Sequence, residues 1–306
     1  MIKLFTHTDL DGVGCAILAK LAFKDVDISY CNYDNINEEV KNFITDKNDI
    51  DMCFITDISI EEEIAEYIEE KFSNFYLLDH HSTALYLNKY NWCIVKIENK
   101  ININTSGTEL YYHWLLDNGY LQQSDVLDKF VNLVRDYDTW RWSELGEDGI
   151  ICKQVNDLMY IYGREVFIEW CLSEIHDNVF PKLYESDKLL LNIKQREIDN
   201  YVENKNKQII FSELCGRKCG FIFAEKYFSE LGNRLCKLHP EIDFIIMIDM
   251  GNKVVSYRTI KNDIDLGKDI AQKFGGGGHP KAAGSQFEEN ILTEILKNSN
   301  LMTIIL

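Results

Sequence analysis

The apolar run Asn74-Phe75-Tyr76-Leu77-Leu78 ends on Asp79-His80-His81. One carboxylate and two imidazoles in succession cannot all face one way along an extended chain, so the triplet suits splaying around a bound ion or phosphate. A His pair on a surface turn would explain it equally well in isolation. Its company argues for chemistry. His7-Thr8-Asp9-Leu10-Asp11-Gly12 follows the first apolar run, Asp57 follows the third, and Asp136 and Asp138 follow a helix-like stretch. Carboxylates and neutral imidazoles without thiols are a ligand set for manganese or magnesium, and the imidazoles tilt the choice towards manganese. Asp9 and Asp11, two apart, would share a face in an extended chain or touch two neighbouring ions in a turn, with Gly12 letting the chain tighten into a helix. Two ions about 3.5 to 4 Å apart need a carboxylate between them. The single Asp57 is suited to that place. A purely structural account would need all of these acidic residues at element ends by chance.

Elements that could position such residues are legible around them. Short apolar runs at Ile2 to Phe5, Val26 to Cys31, Met52 to Ile55, Phe75 to Leu78 and Trp92 to Ile97 alternate with helical patterns such as Val13 to Phe23 and Glu61 to Phe72. Alternation of this kind predicts βαβ units and a mainly parallel sheet. Open sheets of that class bind ligands at the carboxyl ends of their strands, where the acidic residues stand. From Ser106-Gly107-Thr108-Glu109, which has the form of a capping box, the pattern turns helical: Leu110 to Leu116, Val126 to Val134, Ile150 to Tyr160 and Val166 to Ile175. The segment Tyr137-Asp138-Thr139-Trp140-Arg141-Trp142 is dense in aromatic and polar groups and reads as a packed loop. Pro181 marks a break.

The chain is thus expected to be α/β with two domains: 1–181, a helical linker over 182–207, and a smaller α/β domain over 208–306. In the last, Gln208 to Leu214 and Lys218 to Phe223 precede a helix from Phe228 to Leu238. Phe244 to Ile248 and Val254 to Tyr257 read as paired strands, and a further helix spans Leu266 to Phe274. Gly275-Gly276-Gly277-Gly278-His279-Pro280-Lys281-Ala282-Ala283-Gly284 follows. Glycines in such number let backbone approach a ligand closely. The continuation into the strand-like Ser285-Gln286-Phe287 favours a binding loop over a linker.

The 306 residues carry a net charge of -18, unevenly spread. Residues 201–306 hold 14 Lys+Arg against 13 Asp+Glu, leaving 18 against 37 for residues 1–200. An extended duplex needs a basic footprint, which is absent; a short phosphate-bearing ligand needs only local cations, largely supplied by metal ions. Nine cysteines without CxxC pairs suit buried thiols in a reducing cytosol. Entry into a strand at Ile2 leaves no room for a signal peptide, and no apolar run nears the roughly 18 residues of a membrane span. A soluble cytoplasmic protein is expected.

His7-Thr8-Asp9-Leu10-Asp11-Gly12, Asp57, Asp79-His80-His81 and Arg135-Asp136-Tyr137-Asp138 stand in the order and spacing of the four motifs of the DHH phosphoesterases, and Gly275 to Gly284 resembles the signature of their type 1 DHH-associated C-terminal domain. The resemblance spans nearly the whole chain and is strongest to the nanoRNase B branch. It implies a manganese-dependent phosphodiesterase, with two Mn²⁺ ions or Mg²⁺ in their place, acting on short single-stranded oligonucleotides or dinucleotides. By the same resemblance His7, Asp9 and Asp57 would hold one ion, and Asp11, Asp57, His80 and Asp136 the other. His81 would face the scissile phosphate, with Asp79 orienting a neighbouring histidine. His7 departs from many relatives, lying two rather than four residues before the first aspartate, and Asp138 could substitute for Asp136 or assist it. Substrate binding would fall to Arg258, His279 and the backbone of Gly275, Gly276, Gly277 and Gly278, with Lys281 an addition. Members also include phosphodiesterases of cyclic dinucleotides and single-strand-specific exonucleases. Inorganic pyrophosphatases can share the N-terminal motifs but normally pair them with a different C-terminal domain, so the GGGGH loop argues against that activity. A nucleotide-binding regulator without catalysis would not need the full acidic set. RNA against DNA, cleavage polarity and oligomeric state are open.

Overall fold

The computed structural model describes residues 1–46 and 50–287, so the end of the domain expected over 208–306 lies outside the described residues. The chain forms two compact units, Met1–Leu191 and Asn192–Leu306. In the first, strands β1 (Ile2–Thr6), β2 (Val26–Tyr30), β3 (Met52–Thr56), β4 (Phe75–Asp79) and β5 (Cys93–Val95) make an all-parallel sheet of order β2-β1-β3-β4-β5. Alternate residues of each strand face opposite sides. Leu4, Phe54 and Leu78 pack with helices α1 (Leu10–Ala22), α4 (Gly107–Asp117), α5 (Asp125–Asp138), α6 (Glu147–Tyr162) and α7 (Arg164–His176). Phe5, Cys53, Ile55 and Leu77 pack with α2 (Ile36–Asp46) and α3 (Glu62–Lys71) on the other side. Both faces are covered at the centre, so β3 and β4 read as near-continuous apolar runs, whereas β2 at the edge alternates, with Asp27 exposed.

Helix α2 has no counterpart in the sequence expectations. Its apolar residues Ile36, Val40, Phe43 and Ile44 keep helical spacing and are buried, but they are set in a polar, Asn-rich stretch that masks the pattern. Strand order supplies the frame for a site. The chain leaves β1 for β2 on one side and then crosses to β3 on the other, so the carboxyl ends of β1 and β3 flank the point where connections diverge. A crevice forms there in open α/β sheets.

The stretch expected as a linker over 182–207 is helix α8 (Glu185–Asn206), and the two units divide within it. Leu191 belongs to the first core, whereas Ile198 and Val202 are buried in the second. Its sparse apolar residues are therefore divided between two cores.

The second unit holds a six-stranded mixed sheet of order β10-β11-β9-β8-β7-β6. Its strands are β6 (Ile210–Leu214), β7 (Arg217–Phe223), β8 (Phe244–Asp249), β9 (Val254–Arg258), β10 (Gly277–Gly278) and β11 (Ala282–Gln286). Helix α9 (Phe228–Leu238) joins the parallel pair β7 and β8. The paired strands expected around Gly251 are β8 and β9, antiparallel, with the Asp249 carboxylate accepting from the amides of Gly251 (2.9 Å) and Asn252 (3.0 Å) in the turn. The expected helix over Leu266 to Phe274 is instead a π turn, Leu266–Ile270, followed by a 3-10 turn, Ala271–Phe274. Asp265 caps it by accepting from the Lys268 amide (3.1 Å), and Gly267 lies so close to the Gly278 carbonyl that an added Cβ would fall 2.4 Å from that oxygen. All nine cysteines are free thiols. Among the described residues no helix is long and apolar enough to cross a membrane.

Candidate metal centre

Three strand ends and one helix end converge in the first unit. After β1, the chain tightens into α1 with Asp9 as its cap, Oδ1 accepting from the Gly12 amide at 3.1 Å. Only glycine fits at position 12, because an added Cβ would lie 2.2 Å from the His7 carbonyl oxygen. Asp11 then points at the start of α4, where its two oxygens accept from the amides of Gly107 (2.6 Å) and Thr108 (2.9 Å). A carboxylate at a helix N-terminus meets free N–H groups and the positive end of the dipole. Thr108 Oγ1 returns a hydrogen bond to the Asp11 carbonyl (2.7 Å), while Thr56 Oγ1 donates to Thr6 Oγ1 (2.9 Å) and Thr6 Oγ1 to the Gly12 carbonyl (3.0 Å). Buried hydroxyls thus lock β1, β3, α1 and α4 together.

Asp57, at the end of β3, adopts a left-handed conformation (φ 58°), which costs about 1 to 3 kcal/mol in a non-glycine residue. Gly107 is the reason it can be accommodated, since a Cβ there would lie 2.6 Å from the Asp57 Cβ. The turn aims Asp57 Oδ1 at His80 Nε2 (3.3 Å) and Oδ2 towards His7 Nδ1 (3.8 Å). His80 Nε2 also faces Asp138 Oδ2 (3.5 Å) and Asp11 Oδ2 (3.7 Å). Three carboxylates surround one nitrogen, yet none makes a hydrogen bond with it. His80 Nε2, Asp57 Oδ2 and Asp79 Oδ2 are all buried without a hydrogen-bond partner.

Electrostatics follow from this crowding. Burial, then the charges of Asp11, Asp9 and Asp138, raises the Asp57 carboxyl well above its ordinary value. Burial, then Asp11, Asp9 and Asp79, does the same to Asp138. Burial and the neighbouring His81 lower the His80 imidazole, keeping it neutral and its lone pair available. Asp9 moves the other way: despite burial, its hydrogen bond to His7 (2.9 Å) holds it far below the usual carboxylate range. Asp79 is likewise lowered against its burial by His81, whose Nδ1 stands 2.7 Å from Asp79 Oδ1. The same oxygen accepts from the His80 amide (2.8 Å).

The side chains fall into three groups whose ligand atoms lie within 4.8 Å of one another: His7, Asp9 and Asp57; Asp11, His80 and Asp138; and Asp57, Asp79, His80 and His81. This donor set fits hard divalent cations, and the orphaned buried atoms are those a cation would satisfy. Asp57 belongs to two groups. Asp136, expected from the resemblance as a ligand, stands outside all three. Its Oδ1 accepts from Arg135 (Nε 3.1 Å, Nη2 2.9 Å) and Arg141 (Nη1 3.0 Å), and Arg135 is joined in turn to buried Glu109 (2.9 Å). Asp138 is the residue that reaches the cluster.

The aromatic Tyr33, in the loop after β2, was not anticipated. Its hydroxyl lies 3.1 Å from His81 Nε2 and its ring centroid 5.3 Å from that of His7. The rule that strand-end residues line such sites would have drawn attention to it, since it follows β2 by three residues.

In the second unit, the Arg258 stem passes over Gly232 of α9, where a Cβ would lie 2.5 Å from Arg258 Cγ, and its Nη1 donates to the Tyr257 carbonyl (2.8 Å). Burial lowers its pKa to about 10. Lys281 Nζ donates to the Lys261 carbonyl and to Asn262 Oδ1 (2.6 Å), so its ammonium is committed to a neighbouring loop. Three of the four consecutive glycines have reasons within the fold. Gly275 (φ 70°) closes the preceding turn; a Cβ on Gly276 would lie 2.1 Å from the Gly284 carbonyl, and one on Gly278 (φ 137°) 2.7 Å from that of Ala282. Gly277 faces open space. His279 is exposed at the β10–β11 turn, its amide donating to the Ala282 carbonyl (2.8 Å).

No family model matches the chain. Over 300 residues, covering 95% of the chain and 74% of the relative, it is 38% identical to oligoribonuclease NrnB of Bacillus subtilis (strain 168). RecJ in complex with Mn²⁺ from Thermus thermophilus has the same fold, with TM-score 0.63 and 13% identity over 97% of this chain and 51% of that one. The pGpG-specific phosphodiesterase PggH from Vibrio cholerae shares it at TM-score 0.55 and 14% identity, over 100% and 99%.

Two measurements test the centre. Because Asp57 is buried among like charges, Asp57→Asn should stabilise the chelator-treated protein by about 1 to 3 kcal/mol at pH 8, where the carboxyl is ionised in the unfolded chain and burial among like charges opposes that ionisation in the folded one. The gain should shrink as pH falls, because the raised pKa lets the parent carboxyl protonate and shed its penalty. Equilibrium unfolding across pH reads both trends, and a loss of stability at pH 8 would refute the argument. Separately, titration calorimetry with Mn²⁺ should show Asp138→Asn losing at least tenfold in affinity. Asp136→Asn should bind the ion nearly as well as the parent and unfold more easily, because Arg135 and Arg141 lose the negative charge they share.

Proposed function

The chain belongs to the DHH phosphoesterase family, in the branch of oligoribonuclease NrnB, and from that premise we propose that it is a manganese-dependent phosphodiesterase hydrolysing short oligonucleotides and dinucleotides to mononucleotides. The observation that carries this reading is the convergence of Asp11, Asp57 and Asp138 on a buried His80 nitrogen that none of them hydrogen-bonds. In this reading His7, Asp9 and Asp57 hold one ion, and Asp11, Asp57, His80 and Asp138 hold the second, with Asp57 common to both. Bound there, the ions supply Lewis acidity and a water acidified to near neutrality.

The chain's own residues do the rest. Asp79 fixes the His81 ring through Nδ1, so that Nε2 is the ring atom left to face the scissile phosphate. Asp11, anchored on the α4 amides, holds its oxygens in place before any ion arrives, and the left-handed turn at Asp57 does the same for its carboxylate. Such preorganisation spares reorganisation during the reaction.

Residues 1–181 would thus perform the chemistry, and residues 208–306 grip the nucleotide through Arg258, His279 and the backbone of Gly275 to Gly278. Phosphate needs donors, and guanidinium, imidazole and glycine amide provide them. Short substrates suit the charge distribution, because residues 1–200, with 18 basic against 37 acidic residues, offer no basic track for a continuing strand.

Chelator-treated protein should be inactive and recover more with manganese than with magnesium, on labelled two- to ten-mers assayed beside cyclic dinucleotides. Turnover should fall as length rises; efficient digestion of long strands, or activity surviving chelation, would overturn the reading. Arg258→Ala and His279→Ala should leave Mn²⁺ binding intact. Each should cost roughly ten- to a hundredfold in kcat/KM on dinucleotides. Bis-p-nitrophenyl phosphate should be affected much less, because remote binding energy is used only when the remote group is present. Equal losses on both substrates would place these residues in the chemical step.

A further inference from the structure

We infer that Tyr33 is a positioning residue for His81, completing a chain Asp79–His81–Tyr33 at the edge of the metal centre; the inference rests on the function proposed above. Asp79 Oδ1 lies 2.7 Å from His81 Nδ1, and an ionised carboxylate only accepts, so Nδ1 carries the hydrogen. In the neutral ring, Nε2 is then an acceptor, and the Tyr33 hydroxyl 3.1 Å away is placed to donate to it. The ring is therefore held at both nitrogens, by a carboxylate buried at the end of β4 and by a phenol from the loop after β2.

Tyr33 is itself held. The loop that bears it, between β2 and α2, is tied to the end of β1 by Thr8 Oγ1 donating to Asn32 Oδ1 (3.0 Å). It is also closed on itself by the Asn32 amide donating to Asn35 Oδ1 (2.8 Å). The ring lies edge-on to His81 (centroids 6.0 Å apart, interplanar 89°) and 5.3 Å from His7, so it spans the two histidines. A purely structural tyrosine would be expected to bury its ring. Tyr33 instead leaves 57% of its surface exposed while directing its hydroxyl inward to one imidazole nitrogen. That nitrogen is the one the reaction needs. A hydroxyl on it fixes the ring plane, so an incoming water or hydroxyl that donates to Nε2 takes its place without the ring having to turn.

Tyr33→Phe keeps the ring and removes only the hydroxyl, and at an exposed position it should fold as the parent does. We expect kcat to fall about tenfold, as for the loss of an orienting partner of a functional histidine. The fall should be equal on a dinucleotide and on bis-p-nitrophenyl phosphate, because both present the scissile phosphate, with KM and Mn²⁺ affinity unchanged. In a His81→Asn background Tyr33→Phe should cause no further loss, since a residue acting through His81 has nothing left to position. Parent-like kcat in Tyr33→Phe, or the same loss with and without His81, would overturn the inference. Imidazole ¹⁵N resonances of the metal-free protein supply a readout independent of turnover: the His81 Nε2 signal should move in Tyr33→Phe, and an unmoved signal counts against the contact. Should the parent leave dinucleotides intact, the proposed function fails, while these resonances still decide whether Tyr33 holds His81.

Discussion

The first unit is organised by an electrostatic imbalance: carboxylates packed at the end of a sheet with too few positive partners. Asp57 is the extreme case, buried to 1% exposure with one oxygen unpartnered and Asp11, Asp9 and Asp138 all raising its pKa. Burying a charge in this way costs several kcal/mol unless something pairs with it. The fold offsets part of that cost with N–H groups: α4 presents two amides to Asp11, α1 one to Asp9, and the β4 end two to Asp79. What remains uncompensated is the shape of a cation. A site that binds divalent ions strongly has to carry such a deficit in their absence, so instability of the metal-free centre and affinity for metal are the same quantity seen from two sides.

Holding like charges together requires a rigid surround, and close backbone packing supplies it. Gly12, Gly14 and Gly107 stand where an added Cβ would lie 2.2 to 2.6 Å from the His7 carbonyl, the Thr108 hydroxyl and the Asp57 side chain respectively. These contacts fasten the first turns of α1 and α4 to the strand ends. On the far side, the buried chain Glu109–Arg135–Asp136–Arg141 fastens the end of α5 to α4. Its net worth to stability is small by the usual balance of desolvation against attraction. Its geometric consequence is that Asp136 is held outside the cluster, leaving Asp138 as the carboxylate of α5 that enters it.

That network explains where sequence reading stopped. Asp9, Asp11, Asp57 and the Asp79-His80-His81 triplet could be found because each ends an apolar run, and parallel strands place such ends together. Asp136 and Asp138 lie on one helix, two residues and so about 200° apart. Only one can face the sheet, and spacing alone cannot say which. The choice was made by Arg135 and Arg141, whose attachment to Asp136 is a tertiary fact. The consecutive glycines were legible as special, but not their division of labour: three serve turn closure and close strand approach, and Gly277 alone is left facing open space. Tyr33 and α2 were missed for a shared reason, lying in a polar stretch where the few informative residues are diluted. The boundary is expected within 182–207, and the two units divide inside that stretch, between Leu191 and Asn192, because the apolar positions of α8 serve separate cores.

Charge acts also at the scale of the whole chain. The acidic excess sits almost entirely in the first 200 residues, 18 basic against 37 acidic, and only part of it is in the cluster. Surface acids such as Glu62, Glu63 and Glu66 on α3 have no role in metal binding; they raise the negative potential around it. For a divalent ion that potential is attractive at a distance, and for a polyanion it is repulsive, with a cost that grows with each phosphate lying on the surface within a Debye length of about 8 Å. A dinucleotide brings one phosphodiester, whose charge ions held in the cluster would meet locally. Every further nucleotide adds a phosphate that such ions would not reach. Selection for short chains can therefore arise from the field of the domain itself, without a steric stop, and it should weaken as salt shortens the range of that field.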